Sequence, residues 1–174
     1  MWELPFGNGR RFGRDWKGPT EFLLGGWQVS GINVAQSGLA LTATLAGSSV
    51  LNIGGERRAR PNLVGDPVLP ASEQTLNRWF NTDAFAAFSP GQQAFGNAGV
   101  GIMRGPGYVN CDFTLAKNFQ MPNHRYVQFR TELFNALNHA NFGPPNLQRE
   151  SSGFGQIVTA SNGRIVQLGL KFYF

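Results

Sequence analysis

Residues 164–174, Arg164-Ile165-Val166-Gln167-Leu168-Gly169-Leu170-Lys171-Phe172-Tyr173-Phe174, alternate strictly between apolar and other side chains from Val166 onward. Val166, Leu168, Leu170, Phe172 and Phe174 fall on one face of an extended strand, and Gln167, Gly169, Lys171 and Tyr173 fall on the other. A side-chain period of two over this length describes a strand with one apolar and one polar face. About ten residues is also what a tilted strand needs to cross a membrane. In a soluble sheet, an apolar strand ending the chain leaves an edge that invites aggregation. In a closed barrel within lipid the same strand has neighbours on both sides, and its apolar face meets acyl chains. The last strand of a soluble β-domain satisfies the same pattern, so the flanking sequence has to arbitrate.

Working outward, residues 108–119 alternate in the same way. Val109, Cys111, Phe113, Leu115 and Phe119 share one face, and Asn110, Asp112, Thr114, Ala116 and Asn118 share the other. Lys117 interrupts the apolar face near its end, where a long side chain is expected to snorkel to the headgroups. Gln120-Met121-Pro122-Asn123-His124 reads as a tight turn. Residues 125–135 return, with Val127, Phe129, Thr131 and Leu133 on the apolar side and Gln128, Arg130 and Glu132 on the polar side. A further strand is expected over 22–36. Its alternation is clear from Trp27 to Ser30 and blurs after Gly31, which leaves the facing of Ile32 and Val34 open; 39–45 reads as an extension.

Two long connections separate these strands. Residues 46–106 carry Gly54-Gly55, Arg60-Pro61-Asn62, Asp66-Pro67, Ser89-Pro90-Gly91 and Arg104-Gly105-Pro106-Gly107, with a short helix expected over 73–80. Residues 136–163 contain Asn141-Phe142-Gly143-Pro144-Pro145-Asn146 and a short strand expected over 155–160. Connections this long are uncommon in compact domains and usually functional. Outer-membrane barrels keep periplasmic turns short and place long loops outside the cell. With Phe174 in the periplasm, both long connections fall outside, and the 120–124 turn and residues 1–20 fall inside. The fold class expected is all-β, an antiparallel transmembrane β-barrel fragment with about four membrane strands and long extracellular loops.

Composition agrees with this reading. Glycine (23) and phenylalanine (15) are abundant while charged residues make up 14%, which favours strands, turns and aromatics over helices. No apolar run approaches the length of a transmembrane helix. Met1-Trp-Glu-Leu-Pro-Phe-Gly7 lacks the basic start and apolar core of a signal peptide. The net charge of +5 raises nucleic acid as a partner. The basic residues are dispersed, however, apart from Arg10-Arg11-Arg14-Lys17 and Arg57-Arg58-Arg60, which lie in loop-like sequence without aromatic interleaving. No nucleic-acid partner is therefore expected.

Chemistry-bearing motifs are scarce. Cys111 is the lone cysteine, so an internal disulfide and a cysteine metal site are both excluded. His124 and His139 are isolated from each other and from any His-Glu-x-x-His pattern. No Gly-x-Ser-x-Gly elbow occurs, and the glycines of Phe95-Gly-Asn-Ala-Gly-Val-Gly101 lack the Lys-Ser/Thr of a phosphate loop. No catalytic, cofactor or metal residue is assigned, and the chain is not expected to be an enzyme. Asp112, Arg130, Glu132 and Lys171 read as a solvated or mutually satisfied polar wall, in which opposite charges on neighbouring strands can pair across the ladder; contact with a substrate is the sharper alternative.

Resemblances enter at this point. Gln167, Gly169, Phe172 and Phe174 resemble the C-terminal assembly signal of bacterial outer-membrane barrels. Over nearly the whole chain the sequence resembles the C-terminal part of TonB-dependent outer-membrane receptors of the Oar-like group. The matching pieces are Leu24-Gly-Gly-Trp-Gln-Val-Ser-Gly31 with Gln36-Ser-Gly38, Arg78-Trp-Phe-Asn-Thr-Asp-Ala-Phe85, Phe95-Gly-Asn97 and Arg104-Gly-Pro-Gly107. Asp112-Phe-Thr-Leu-Ala-Lys-Asn-Phe119, Gln128-Phe-Arg-Thr-Glu-Leu-Phe-Asn-Ala-Leu-Asn-His139, Asn141-Phe-Gly143, Phe154-Gly-Gln-Ile157 and the terminal strand follow in order.

The resemblance implies a receptor of about twenty-two strands with an N-terminal plug and a periplasmic motif that TonB pulls on. Signal peptide, plug and TonB motif are not expected in these 174 residues, which read as a segment of the barrel wall that is not transport-competent alone. The implied location is the outer membrane. The implied partners are outer-membrane lipid, the barrel-assembly machinery and, only through the missing N-terminal part, the TonB complex. Two alternatives stay open: a protomer of an oligomeric outer-membrane barrel, and a soluble secreted β-domain that binds a ligand or surface through aromatic loops.

Overall fold

In the computed structural model, residues 1–45, 59–86, 96–123 and 125–174 are described. Gly54-Gly55, Arg57-Arg58, Ser89-Pro90-Gly91, Phe95 and His124 lie outside the described residues. Strands and turns dominate: β1 (Trp2–Glu3), α1 (Pro19–Leu24), β2 (Trp27–Gln36), β3 (Ala40–Leu41), β4 (Asn62–Leu63), β5 (Phe85–Ala86), β6 (Met103–Arg104), β7 (Tyr108–Gln120), β8 (Tyr126–Phe134) and β9 (Ile165–Tyr173). The chain divides into two compact units, each taken separately below.

The first unit comprises Met1–Ala35, Val109–Ala140 and Asn162–Phe174. It holds a five-stranded sheet in the order β1-β2-β7-β8-β9. Antiparallel ladders join β7 to β8, from Phe113 opposite Leu133 to Gln120 opposite Tyr126, and β8 to β9, from Tyr126 opposite Tyr173 to Phe134 opposite Ile165. β1 pairs with β2 through Trp2 opposite Val29. The Asn118 N–H donates to the Gly26 carbonyl, and Gly31 lies against the Asp112 carbonyl, so β2 and β7 also run antiparallel. β1 and β9 are the two edges, and the sheet does not close on itself.

One expectation fails at the start of β2, and one open question closes. Residues 22–24 form the end of a helix rather than strand, because Gly18-Pro19 opens a turn of helix and Gly25-Gly26 ends it; Phe-Leu-Leu also lacks any alternation. Gly26 has φ 70°, and a Cβ there would stand 2.5 Å from the Asn118 carbonyl oxygen, so the strand can begin only on glycine. At Gly31 a Cβ would approach the Phe113 ring, which puts position 31 on the apolar face and Ile32 on the opposite one. By alternation Val34 follows Ile32, so the apolar residues at this end of β2 change faces.

The second unit comprises Gln36–Tyr108 and Asn141–Ser161. The described parts of the two connections, expected as irregular loops, share a core with the 39–45 segment: Leu41 and Ala43 from that segment, and Phe80, Ala84, Phe85, Ala98, Met103 and Phe154 from the connections. Phe80, Phe85 and Phe154 meet edge to face with centroids 5.0–5.9 Å apart, an arrangement that aromatic quadrupoles favour. Short ladders β3–β6 and β4–β5 frame this core. The helix expected over 73–80 is instead a tight turn, in which the Thr75 hydroxyl accepts the Arg78 N–H and competes with helical bonding. The strand expected over 155–160 is reduced to a single bridge, Phe142 opposite Ala160. The extension expected over 39–45 is strand only at Ala40–Leu41.

Candidate functional site

The sheet presents two chemically distinct faces, and the register fixes their membership. Phe113, Leu115, Lys117 and Phe119 of β7 stand beside Leu133, Thr131, Phe129 and Val127 of β8, which stand beside Val166, Leu168, Leu170 and Phe172 of β9. Leu168, Leu170 and Phe172 are 60–65% exposed. The buried hydrophobic cluster lies wholly in the second unit. Among the described residues of the first unit, buried side chains are instead Ala116 and the polar Lys117, Gln128 and Asn135. Apolar side chains this exposed along the length of β9 form a face unsuited to water. Hydrocarbon is the surrounding that satisfies it.

Lys117, expected to snorkel from this face, is instead 4% exposed. Its ammonium donates to the Gly25 carbonyl and lies 5.2 Å from the ring centroids of both Trp27 and Phe119. The Trp27 indole N–H donates to the Leu23 carbonyl at 3.0 Å, and Phe22 packs on Phe119 at 5.0 Å. Helix α1 and the two glycines therefore cap the cation in place of headgroups. Sequence reasoning missed this because Gly25 and Lys117 lie 92 positions apart.

The opposite face is polar and internally bonded. Gln128 donates to the Asn118 side-chain oxygen at 2.8 Å, and Tyr126 stacks on Tyr173 at 4.2 Å. Arg130 pairs with Glu132 at 2.8 Å, along β8 rather than across the ladder. Two residues apart on one strand point the same way, whereas Gln128 stands opposite Lys171 and Gly169 opposite Arg130. Asp112 enters no ion pair among the described residues; it accepts from the Asn110 carboxamide and the Asn135 N–H, both at 2.9 Å.

The four assembly-signal residues divide between the faces. Gln167 lies opposite Glu132 on the polar face, and Gly169 beside Arg130 there. Phe172 lies opposite Val127 on the apolar face, and Phe174 follows β9, fully exposed.

Asparagines hold the chain as it leaves β8, a role the alternation did not reveal. Asn135 and Asn138 have φ of 50° and 53°, a region that asparagine tolerates better than most residues. The Asn135 carboxamide accepts from the His139 N–H and donates to the His139 carbonyl, both at 2.9 Å. The Asn138 side chain accepts the Arg164 N–H at 2.9 Å, just before β9 begins. The signal was present as Asn-x-x-Asn-His directly after a strand.

In the second unit a cleft of about 220 Å³ is lined by residues including Gln36, Leu39, Tyr108, Phe142 and Pro144. It is smaller than pockets that enclose drug-sized ligands. Among the described residues, no three His, Cys, Asp or Glu side chains gather as a metal site.

The family model described as "Outer membrane beta barrel domain" matches residues 1–167. Neither the curated proteins nor the solved structures contain a match to the chain.

Proposed function

The chain belongs to the outer membrane β-barrel domain family, and from that premise we propose that it forms part of the wall of a TonB-dependent receptor of the Oar-like group. Its location is the outer membrane. The observation that carries the wall reading is the two-faced sheet: a continuous apolar face with side chains up to two-thirds exposed, backed by a polar face of bonded amides and an ion pair. Five strands with two open edges cannot close around a channel, so the wall needs further strands. The receptor reading supplies them from one longer polypeptide. It rests on the ordered motifs from Leu24 to the terminal strand and on the long connections at one end of the sheet. In this reading the chain contributes no catalysis, and uptake depends on a plug and on TonB.

The DNA upstream of the Met1 codon tests the receptor reading. An open frame running back through further alternating strands, a plug and a signal peptide is expected. A stop codon followed by a ribosome-binding site directly before Met1 would overturn it and favour a barrel shared between copies. We further assign Gln167, Gly169, Phe172 and Phe174 to the signal read by the assembly machinery. Deleting Phe174 should lower outer-membrane levels more than it weakens a barrel already folded; normal levels would sink that assignment.

A further inference from the structure

The loop before α1 and α1 itself are built as one piece. The Gly7 N–H donates to the Phe12 carbonyl and the Phe12 N–H to the Pro5 carbonyl, each at 2.9 Å. The Asn8 N–H donates to the Glu21 carboxylate at 2.6 Å, and Gly7 packs closely on Gly25. The only acid of the helix is thereby directed into the loop. Phe22, Leu23 and Leu24 remain 60%, 61% and 50% exposed, although Phe22 also rests on Phe119 and so lies on the apolar face of the sheet. Arg10 is committed to Glu3. Arg11, Arg14 and Lys17 are exposed, and none enters an ion pair among the described residues.

Three neighbouring apolar side chains exposed on a six-residue helix, flanked by cations, have the composition of a segment lying in a bilayer interface. Their position fits. Gly25 and Gly26 join α1 to β2 at the sheet end where β7 finishes, which on the wall reading proposed above is an end where acyl chains give way to headgroups. We propose that residues 5–25 are an interfacial lipid anchor. Phe22, Leu23 and Leu24 enter the acyl boundary, and Arg11, Arg14 and Lys17 hold the phosphates of anionic phospholipids. Arg11 lies over the Phe12 ring at 5.4 Å but enters no ion pair among the described residues. Charge complementarity selects this occupant: zwitterionic headgroups offer no net charge to three cations outside any such pair, whereas each basic side chain at an anionic surface adds to binding.

The test is a lipid titration of the purified chain in neutral detergent, with phosphatidylglycerol and phosphatidylcholine added separately and bound lipid counted by native mass spectrometry. Preferential retention of phosphatidylglycerol is expected. Arg11→Gln, Arg14→Gln and Lys17→Gln should each weaken that preference about fivefold. Arg164→Gln, at the other end of the sheet, should leave it unchanged. Phe22→Ser with Leu23→Ser should weaken both lipids alike. Equal affinity for the two lipids in the wild-type chain would overturn the proposal, as would an equal loss in Arg164→Gln. Displacement of phosphatidylglycerol by excess inorganic phosphate would overturn it too, by revealing a free-anion site.

Discussion

The ammonium of Lys117 donates to the carbonyl of Gly25 beneath a helix that covers both. This one contact reconciles a cation with the apolar face of a membrane wall. A charged group there is costly unless paired and bonded. The carbonyl, the Trp27 and Phe119 rings and the cover of α1 supply that pairing.

Lys117→Met is predicted to change barrel stability by less than about 1 kcal/mol, since a flexible apolar side chain of similar length fills the slot without needing a partner. Lys117→Glu sets an anion against the same carbonyl and should cost about 3 kcal/mol or more. Urea unfolding of the lipid-embedded barrel measures both. Equal losses would show that the position tolerates no substitution, irrespective of charge.

Leu168→Arg is predicted to cost about 2–4 kcal/mol in the lipid-embedded barrel, the range for a cation on the lipid face near the bilayer midplane. Leu168 lies at the middle of β9, opposite Thr131 and 64% exposed. Gln167→Leu, one residue earlier and on the face of Glu132, should cost far less. The same unfolding titration separates them, and comparable costs would mean that the faces of β9 are inverted.

Asn135→Ala is predicted to destabilise by about 2–3 kcal/mol, because it removes the paired bonds to His139 and puts at φ 50° a residue that tolerates that region less well than asparagine. Asn135→Gly relieves the backbone but not the lost bonds, and should recover part of the loss. Thermal melts in detergent read the difference. An alanine variant as stable as wild type would show that the turn is held by other contacts.

Alternation made the two faces of β7, β8 and β9 legible, because a period of two needs only the residues of one strand. The register could not be read that way, yet one choice of register sets Phe119, Val127 and Phe172 side by side, and any slip by one residue would mix the faces. The cover over Lys117 was not legible, since it depends on a helix that interrupts what reads as continuous strand. Nor was the Arg130–Glu132 pair, because charges two apart on one strand compete with cross-strand partners and sequence does not rank the two. Least legible was the second unit. Phe80, Phe85 and Phe154 come from two separate connections, carry no periodicity, and meet only when both connections fold.

Phe80→Ala tests whether that unit is a packed body in its own right. Phe80 is 2% exposed and sits between Phe85 and Phe154. Its truncation removes both edge-to-face contacts and leaves a cavity, a change that costs about 3–5 kcal/mol in well-packed cores. A unit of this size, framed by two-residue ladders, has little stability to spare. Limited proteolysis of the lipid-embedded barrel should therefore cut the variant within residues 60–86 and 96–104 while the strands β7, β8 and β9 stay protected by lipid. The control is Val158→Ala, 85% exposed in the same unit, which should be cut no faster than wild type. Protection of the Phe80→Ala variant at wild-type rates would show that the aromatic cluster does not hold the connections together; cleavage within β7 to β9 as well would show that the sheet depends on the second unit for its own fold.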